Sequence, residues 1–262
     1  MQTIHTNIWH EAPEPGNPFA VQVARCHGYD VYGDMLGKAR WSDMLFLLFA
    51  GQRPTAAQTE LLESLAVALA NPGPRDASVH AAMCGGIGGS TSAACLTAAL
   101  AVGAGLNGGS REVFLAMENW RLCTCDLNRW ADRLAEKHST AASIWPAAEH
   151  AAGFDPHTVD TALPVRQTLA VLAARSPGEH LAWLNEQYPA LERLACHPLA
   201  MPGVAAAAMT DLGLTPEQGE MLYLLLRLPG AAAHALEQKQ VSYRDFPFFE
   251  LELAENTGGE HS

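Results

Sequence analysis

The chain has 262 residues, enough to bury a large core in one big domain or in a large and a small one. Hydrophobic residues make up 48% of it, which excludes an intrinsically disordered protein. The formal net charge of −12 argues against a nucleic-acid binder, because phosphate contacts need clustered Lys and Arg. Alanine and leucine dominate and β-branched residues are scarce, so the composition predicts an all-α fold.

Residues 1–20 read as extended, because Pro13, Pro15 and Pro18 block a helix there. This opening is polar and lacks the pattern of a secretory signal. Arg25 to Leu36 is short and turn-rich. Trp41 to Ala50 is a buried helix, with Gly51 placed where a C-terminal cap belongs. Pro54-Thr55 opens a second helix, whose apolar positions Leu61, Leu62, Leu65, Val67 and Leu69 fall at three-to-four spacing. Asn71-Pro72-Gly73-Pro74 stops it.

Residues 77–106 are almost all small, which lets helices approach closely in a core or at a subunit interface. None of the apolar stretches, near Ala93–Leu106 and Val204–Met209, is long or apolar enough to span a bilayer. A break at Gly105 to Gly109 precedes an amphipathic helix, Glu112 to Trp120, and a charged helix near Asp126 to His138. Ala141 to His157 reads as a loop. Helices resume near Val159–Arg175 and Glu179–Tyr188, then over Val204 to Leu212 after Pro202-Gly203. Thr215-Pro216-Glu217-Gln218 is a strong helix start. That helix is expected to run to Leu228, break at Pro229-Gly230, and give way to a last one over Ala231 to about Gln240. The tail after Phe249 is acidic. No segment alternates convincingly enough to be read as a strand. The six cysteines lack framework spacing and are read as reduced thiols of a cytoplasmic protein. Cys123-Thr124-Cys125 lacks the two-residue gap of a redox or zinc motif.

Four landmarks in order carry a family resemblance. They are Gly28-Tyr29-Asp30 leading to a helix that ends Gly51-Gln52-Arg53-Pro54-Thr55; Asn107-Gly108-Gly109-Ser110-Arg111-Glu112; Asp211 to Gln218; and Leu228 to Gln238, LPGAAAHALEQ. Together they resemble the citrate synthase superfamily, and within it the short citryl-CoA lyase branch, over roughly residues 25–250. The resemblance implies an all-α fold with a large helical domain (1–110 and 203–262), a smaller inserted helical domain (111–202) and an active site in the cleft between them. It also implies a homodimer that acts on a small di- or tricarboxylate or an acyl-CoA, with a coenzyme A thioester as substrate and no metal, nucleic-acid or membrane partner.

The chemistry of that family needs a carboxylate that moves the proton beside the thioester, two histidines that donate to substrate oxygens, and arginines that clamp carboxylates. The first family His corresponds to Asn107, whose amide can donate to a developing oxyanion; as a bare residue, Asn107 also fits a turn beside two glycines. The second corresponds to His150 in Pro146-Ala147-Ala148-Glu149-His150, a loop that in the family touches coenzyme A through its backbone, so Pro146, Ala147 and Ala148 are the candidate cofactor contacts. The family's loop glycines are absent, and alanine allows fewer backbone angles. The family's Asp-Pro-Arg reads Asp155-Pro156-His157, with Arg166 as a nearby cation. Its catalytic Asp falls on Pro202, and Glu149, Asp155 and Asp211 are the nearest carboxylates in sequence. Pro72 and Met83 replace two further substrate-facing positions. His80 and Cys84 share a helical face and read as packing. His234 and Arg244 are the remaining candidate substrate contacts, with Arg227, Glu237 and Gln238 beside them; His234 and Glu237 equally read as a structural pair.

Two functions follow. One is a citryl-CoA lyase-like or citrate synthase-like enzyme of altered or weak activity, since losing a general base costs about a hundredfold to ten-thousandfold. The other is an inactive relative that binds a ligand or a partner protein. Metal binding is disfavoured, because the 11 histidines show no ligand spacing.

Overall fold

The structure, a computed structural model, describes residues 5–135 and 150–245. It is dominated by helices, preceded by a small antiparallel sheet of β1 (Trp9–Glu14), β2 (Asn17–Cys26) and β3 (Tyr29–Asp30), in the order β1-β2-β3. The strands were not legible in the sequence. In β2 only Ala24 and Cys26 are buried, so both faces of most of the hairpin meet solvent and no apolar alternation is needed. The prolines that exclude a helix are compatible with this sheet. Pro13 lies on β1 at the edge, where the register slips on either side of it because it has no N–H to donate. Gly16 turns the hairpin at φ +79°.

A π-helical turn, Val31–Met35, leads into α1 (Trp41–Ala50) and α2 (Ala56–Leu69). Gly51 caps α1 in the left-handed region at φ +71°, as its position predicts. Thr55 and Gln58 form a reciprocal box at the start of α2: Thr55 N–H donates to Gln58 Oε1 at 2.9 Å and Gln58 N–H donates to Thr55 Oγ1 at 3.2 Å. Leu61, Leu62 and Leu65 on α2 are fully buried, worth about 1.5–3 kcal/mol each relative to exposure.

The small-residue segment folds as the pair α3 (Ala77–Ile87) and α4 (Ser92–Gly103), which packs on the C-terminal half of α10 (Pro216–Gln238). The glycines set the spacing: a Cβ on Gly86 would lie 2.3 Å from the Ala235 carbonyl oxygen. Then follow α5 (Ser110–Cys123), α6 (Leu127–Ala135), α7 (Leu163–Ala173), α8 (His180–Ala195) and α9 (Met201–Asp211). Every residue from Pro202 to Met209 is buried, which makes α9 the central helix of the main apolar core. Trp120 of α5 anchors one end of that core, edge-on to Trp130 at 4.9 Å and Trp183 at 5.7 Å.

The two largest departures from the expected helix boundaries fall at proline. α8 continues past Tyr188 through Pro189, and α10 continues through Pro229 as one helix rather than two. At Pro229 the neighbouring backbone finds another partner: Gly230 N–H donates to the Ala70 carbonyl at 2.7 Å, at the end of α2. A Cβ at position 230 would lie 2.6 Å from that same oxygen, so Pro229-Gly230 is a docking point for α2 and not a break. Among the described residues no helix is long and apolar enough to cross a membrane.

Candidate functional site

The site is built around Glu112, the third residue of α5, which is 2% exposed. An acid at this position reaches back over the helix N-terminus to unpaired backbone N–H groups. Here the Gly108 N–H donates to Oε2, so the carboxylate pins the Asn107-Gly108-Gly109 turn. Gly108 takes φ +70°, and a Cβ on Gly109 would lie 2.3 Å from the Gly105 carbonyl oxygen, so both glycines are required by the turn. From the other side, Gly153 N–H donates to Oε1 at 2.8 Å, and His150 Nε2 lies 3.9 Å from the same oxygen. Burial pushes the Glu112 carboxyl above its ordinary range, and the Asp155 charge adds to this. The N–H groups of Gly153 and Gly108, and the Arg227 guanidinium, oppose the shift.

The segment after His150 is clamped in place. Asp155 N–H donates to the Pro198 carbonyl at 2.8 Å, and Ala200 N–H donates to the Gly153 carbonyl at 2.9 Å. Gly153, at φ +93°, sits so close to Gly203 that a Cβ would lie 2.9 Å from its Cα. His197, beside this clamp, faces His150 edge-on with ring centroids 6.3 Å apart. Its Nδ1 is 3.0 Å from the Ala195 carbonyl and donates to it, which leaves Nε2 as the nitrogen able to accept.

Arg227 of α10 completes the cluster. Its guanidinium donates to the Gly108 carbonyl at 3.0 Å, pairs with Asp76 at the N-terminus of α3, and lies 4.8 Å from the Tyr223 ring centroid. Asp76 in turn caps α3, accepting from Ser78 N–H at 3.0 Å. Burial drives the Tyr223 hydroxyl up to about 12, so it stays protonated. Ser110 Oγ and Arg227 Nε are buried with no hydrogen-bond partner among the described residues.

The two candidate catalytic residues are thus brought to one carboxylate: Asn107 is exposed on the turn that Glu112 holds, and His150 faces Glu112 directly. The other described candidates bond elsewhere. His157 is exposed, and its N–H donates to Asp155 at 2.8 Å. His234 is tied to Asn71 at 3.2 Å and to Glu237 at 3.5 Å, where α10 crosses the end of α2. Arg244 is exposed in a short 3₁₀ turn, Tyr243–Asp245. Arg166 is exposed on α7, and Met83 packs beside the small core of α3, α4 and α10. Pro146, Ala147, Ala148 and Glu149 lie outside the described residues. Pro202 is the buried second residue of α9.

Asp211 is a structural carboxylate. It accepts from His180 N–H and Leu181 N–H, each at 3.0 Å, from Ser176, and from His180 Nδ1 at 2.8 Å, so it caps α8. Burial pushes its pKa up, but these bonds outweigh it and hold the carboxyl below its ordinary range. Cys125 lies near enough to feel this charge. Burial, Glu179 and Asp211 raise its thiol to about 11, so it is no nucleophile at neutral pH. Among the described residues no three His, Cys, Asp or Glu side chains are grouped to hold a metal ion.

Sequence reasoning passed over Glu112, Asp76 and His197 as site residues. Glu112 belongs to the Asn107–Glu112 landmark, and its spacing from Gly108-Gly109 is the signal that it reaches back over its own helix. His197 and Asp76 carried no local signal, because only the fold brings them near. A cavity of about 460 Å³ lies elsewhere, between the π-helical turn and α1–α2, and shares no lining residue with the cluster.

The arrangement is that of an all-α, citrate synthase-like helical fold. Two kinds of solved enzyme share it. The chain is similar to the citryl-CoA lyase of Hydrogenobacter thermophilus, with a TM-score of 0.69 at 18% identity over 97% of each chain. It is also similar to the ATP citrate lyase of Methanothrix soehngenii, solved with citrate and coenzyme A, with a TM-score of 0.70 at 15% identity. A variant of the Methanosaeta concilii ATP citrate lyase, in complex with (3S)-citryl-CoA, matches with a TM-score of 0.69 at 14% identity. The chain covers 43% and 42% of those two ATP citrate lyases, with 98% and 96% of its own length aligned. No family model and no curated protein sequence matches the chain.

Proposed function

We propose that this is a citrate synthase-family protein, citryl-CoA lyase-like or citrate synthase-like, that takes an acyl-CoA or a small di- or tricarboxylate where the Asn107 turn meets His150. The observation that supports this most is the Glu112 carboxylate, which bonds both segments at once. In this reading, His150 polarises the ketone or alcohol oxygen of the substrate. The Asn107 amide donates to the enol oxygen of the thioester, and Glu112 positions both. Arg244, His157 and His234 meet carboxylates, and the backbone of Pro146, Ala147 and Ala148 meets coenzyme A. Residues 111–202 form the smaller inserted domain, with the site in the cleft beside it, and the protein works in the cytoplasm as a homodimer. Ordinary citrate synthase activity is not expected, because Pro202 stands where a proton acceptor is needed.

A second reading, ligand binding without turnover, draws on two observations. Both Glu112 oxygens already accept backbone N–H groups, and Pro202 is buried in α9. Thermal melts with coenzyme A, acetyl-CoA, oxaloacetate and citrate test binding, since a ligand that binds only the folded state raises the melting point. Free-thiol release from acetyl-CoA plus oxoacids, which reads a synthase, and oxoacid release from citryl-CoA, which reads a lyase because the thioester stays intact, then separate the two readings. Flat traces with a retained thermal shift leave only binding, and no shift with any ligand sinks both.

A further inference from the structure

The 460 Å³ cleft between the π-helical turn and α1–α2 has no part in the proposed function. Its size is that of an ordinary small-ligand pocket. Leu47 and Thr59 are its buried lining residues, and Pro54 and the half-exposed Tyr29 ring add apolar surface. Lys38, Arg40 and Arg53 bring positive charge to its walls. Among the described residues no carboxylate lies within ion-pair distance of these cations, in a chain whose net charge is −12. The Asp43 carboxylate in the same cleft is occupied: Thr59 Oγ1 donates to it at 2.6 Å and Arg40 N–H at 2.8 Å. That leaves Asp34 and Glu60 as exposed acceptors.

This is a mixed chemistry. Clustered guanidinium and ammonium groups suit the oxygens of a phosphate dianion. Free carboxylates suit hydroxyl donors, and an aromatic ring with aliphatic neighbours suits a flat apolar body. A ligand with all three parts is a phosphorylated nucleoside. We propose that this cleft binds a nucleoside monophosphate, with the phosphate on Arg40 and Arg53, the sugar hydroxyls towards Asp34 and Glu60, and the base against Tyr29. The proposal is independent of any activity at Glu112.

Calorimetric titration of the full chain with AMP tests it, with adenosine and inorganic phosphate as partial ligands. Saturable binding of AMP is expected, tighter than that of either part, and about tenfold weaker in each of Arg40→Ala and Arg53→Ala. Both side chains are exposed, so the variants should melt like the parent, and His150→Ala should bind AMP unchanged. The absence of saturable heat with AMP at millimolar concentration overturns the proposal. So does binding that is indifferent to both arginine substitutions, or adenosine binding as tightly as AMP.

Discussion

Glu112 and Gly153 are 41 positions apart in the chain, yet the Gly153 N–H donates to the Glu112 carboxylate at 2.8 Å, deep in the interior. The same carboxylate holds the Gly108 N–H, so one side chain joins the turn that carries Asn107 to the segment that begins at His150. Glu112→Gln keeps the size but offers one carbonyl oxygen to two N–H donors, and its amide points at the second. It should lower stability by about 1–3 kcal/mol, read from urea melts. Loss of ligand-induced stabilisation in this variant, beyond the drop in its own melting point, would show that the two segments are held for a ligand.

Glu112 also makes a pH prediction. Its folded pKa is raised, mainly by burial, so the folded state binds more protons than the unfolded state above the ordinary value of 4.5. The parent therefore loses stability relative to Glu112→Gln as pH rises from 4.5 to the raised value. His150, Asp155 and Arg227 face this group, and all three are kept in the variant. A parent-minus-variant difference that grows with pH would contradict this.

Asp211 behaves in the opposite sense. Its folded pKa is lowered, so its contribution is fully present above the ordinary value of 3.8 and is lost as pH falls from there through the folded pKa. Asp211→Ala leaves the His180 and Leu181 N–H groups at the start of α8 unpaired and should cost about 3 kcal/mol at neutral pH. Acid melts should show a shallower loss of stability for the variant than for the parent below the ordinary carboxylate range.

Gly86 and Gly230 are where α10 meets α3 and the end of α2. Replacing either by alanine drives a Cβ into a backbone carbonyl oxygen that has little room to move. Each substitution should cost about 1–3 kcal/mol, measured by denaturant melts, although alanine is the better helix former. Ser92→Ala, whose hydroxyl accepts a surface bond from Lys239 at 3.3 Å, should change stability little.

The sequence signals that succeeded were local ones. Gly51 ends α1 and Thr55 starts α2, because caps are short-range hydrogen-bond problems solved within four residues. The Ala- and Leu-rich composition and the ordered landmarks both pointed to the helical fold. The signals that misled were prolines. Pro229 reads as a break, but Gly230 N–H is satisfied by Ala70, some 160 positions earlier, and no local rule sees that partner. The β1–β2 hairpin escaped notice because its exposed faces impose no apolar period. At the candidate site, His150 and the Asn107 turn were reachable from motifs, whereas Arg227 pairing with Asp76 and the approach of His197 to His150 arise only from packing α10, α3 and the 197–203 segment together.

In the proposed function, the Asn107 turn and His150 form one site for an acyl-CoA or a small carboxylate. Thermal melts of the parent, His150→Ala and Asn107→Ala, each with and without coenzyme A and citrate, test it most directly. The parent's melting point should rise with at least one of these ligands, and the rise should be reduced in both variants and retained in Arg40→Ala. No rise in the parent, or an equal rise in His150→Ala and Asn107→Ala, would contradict it.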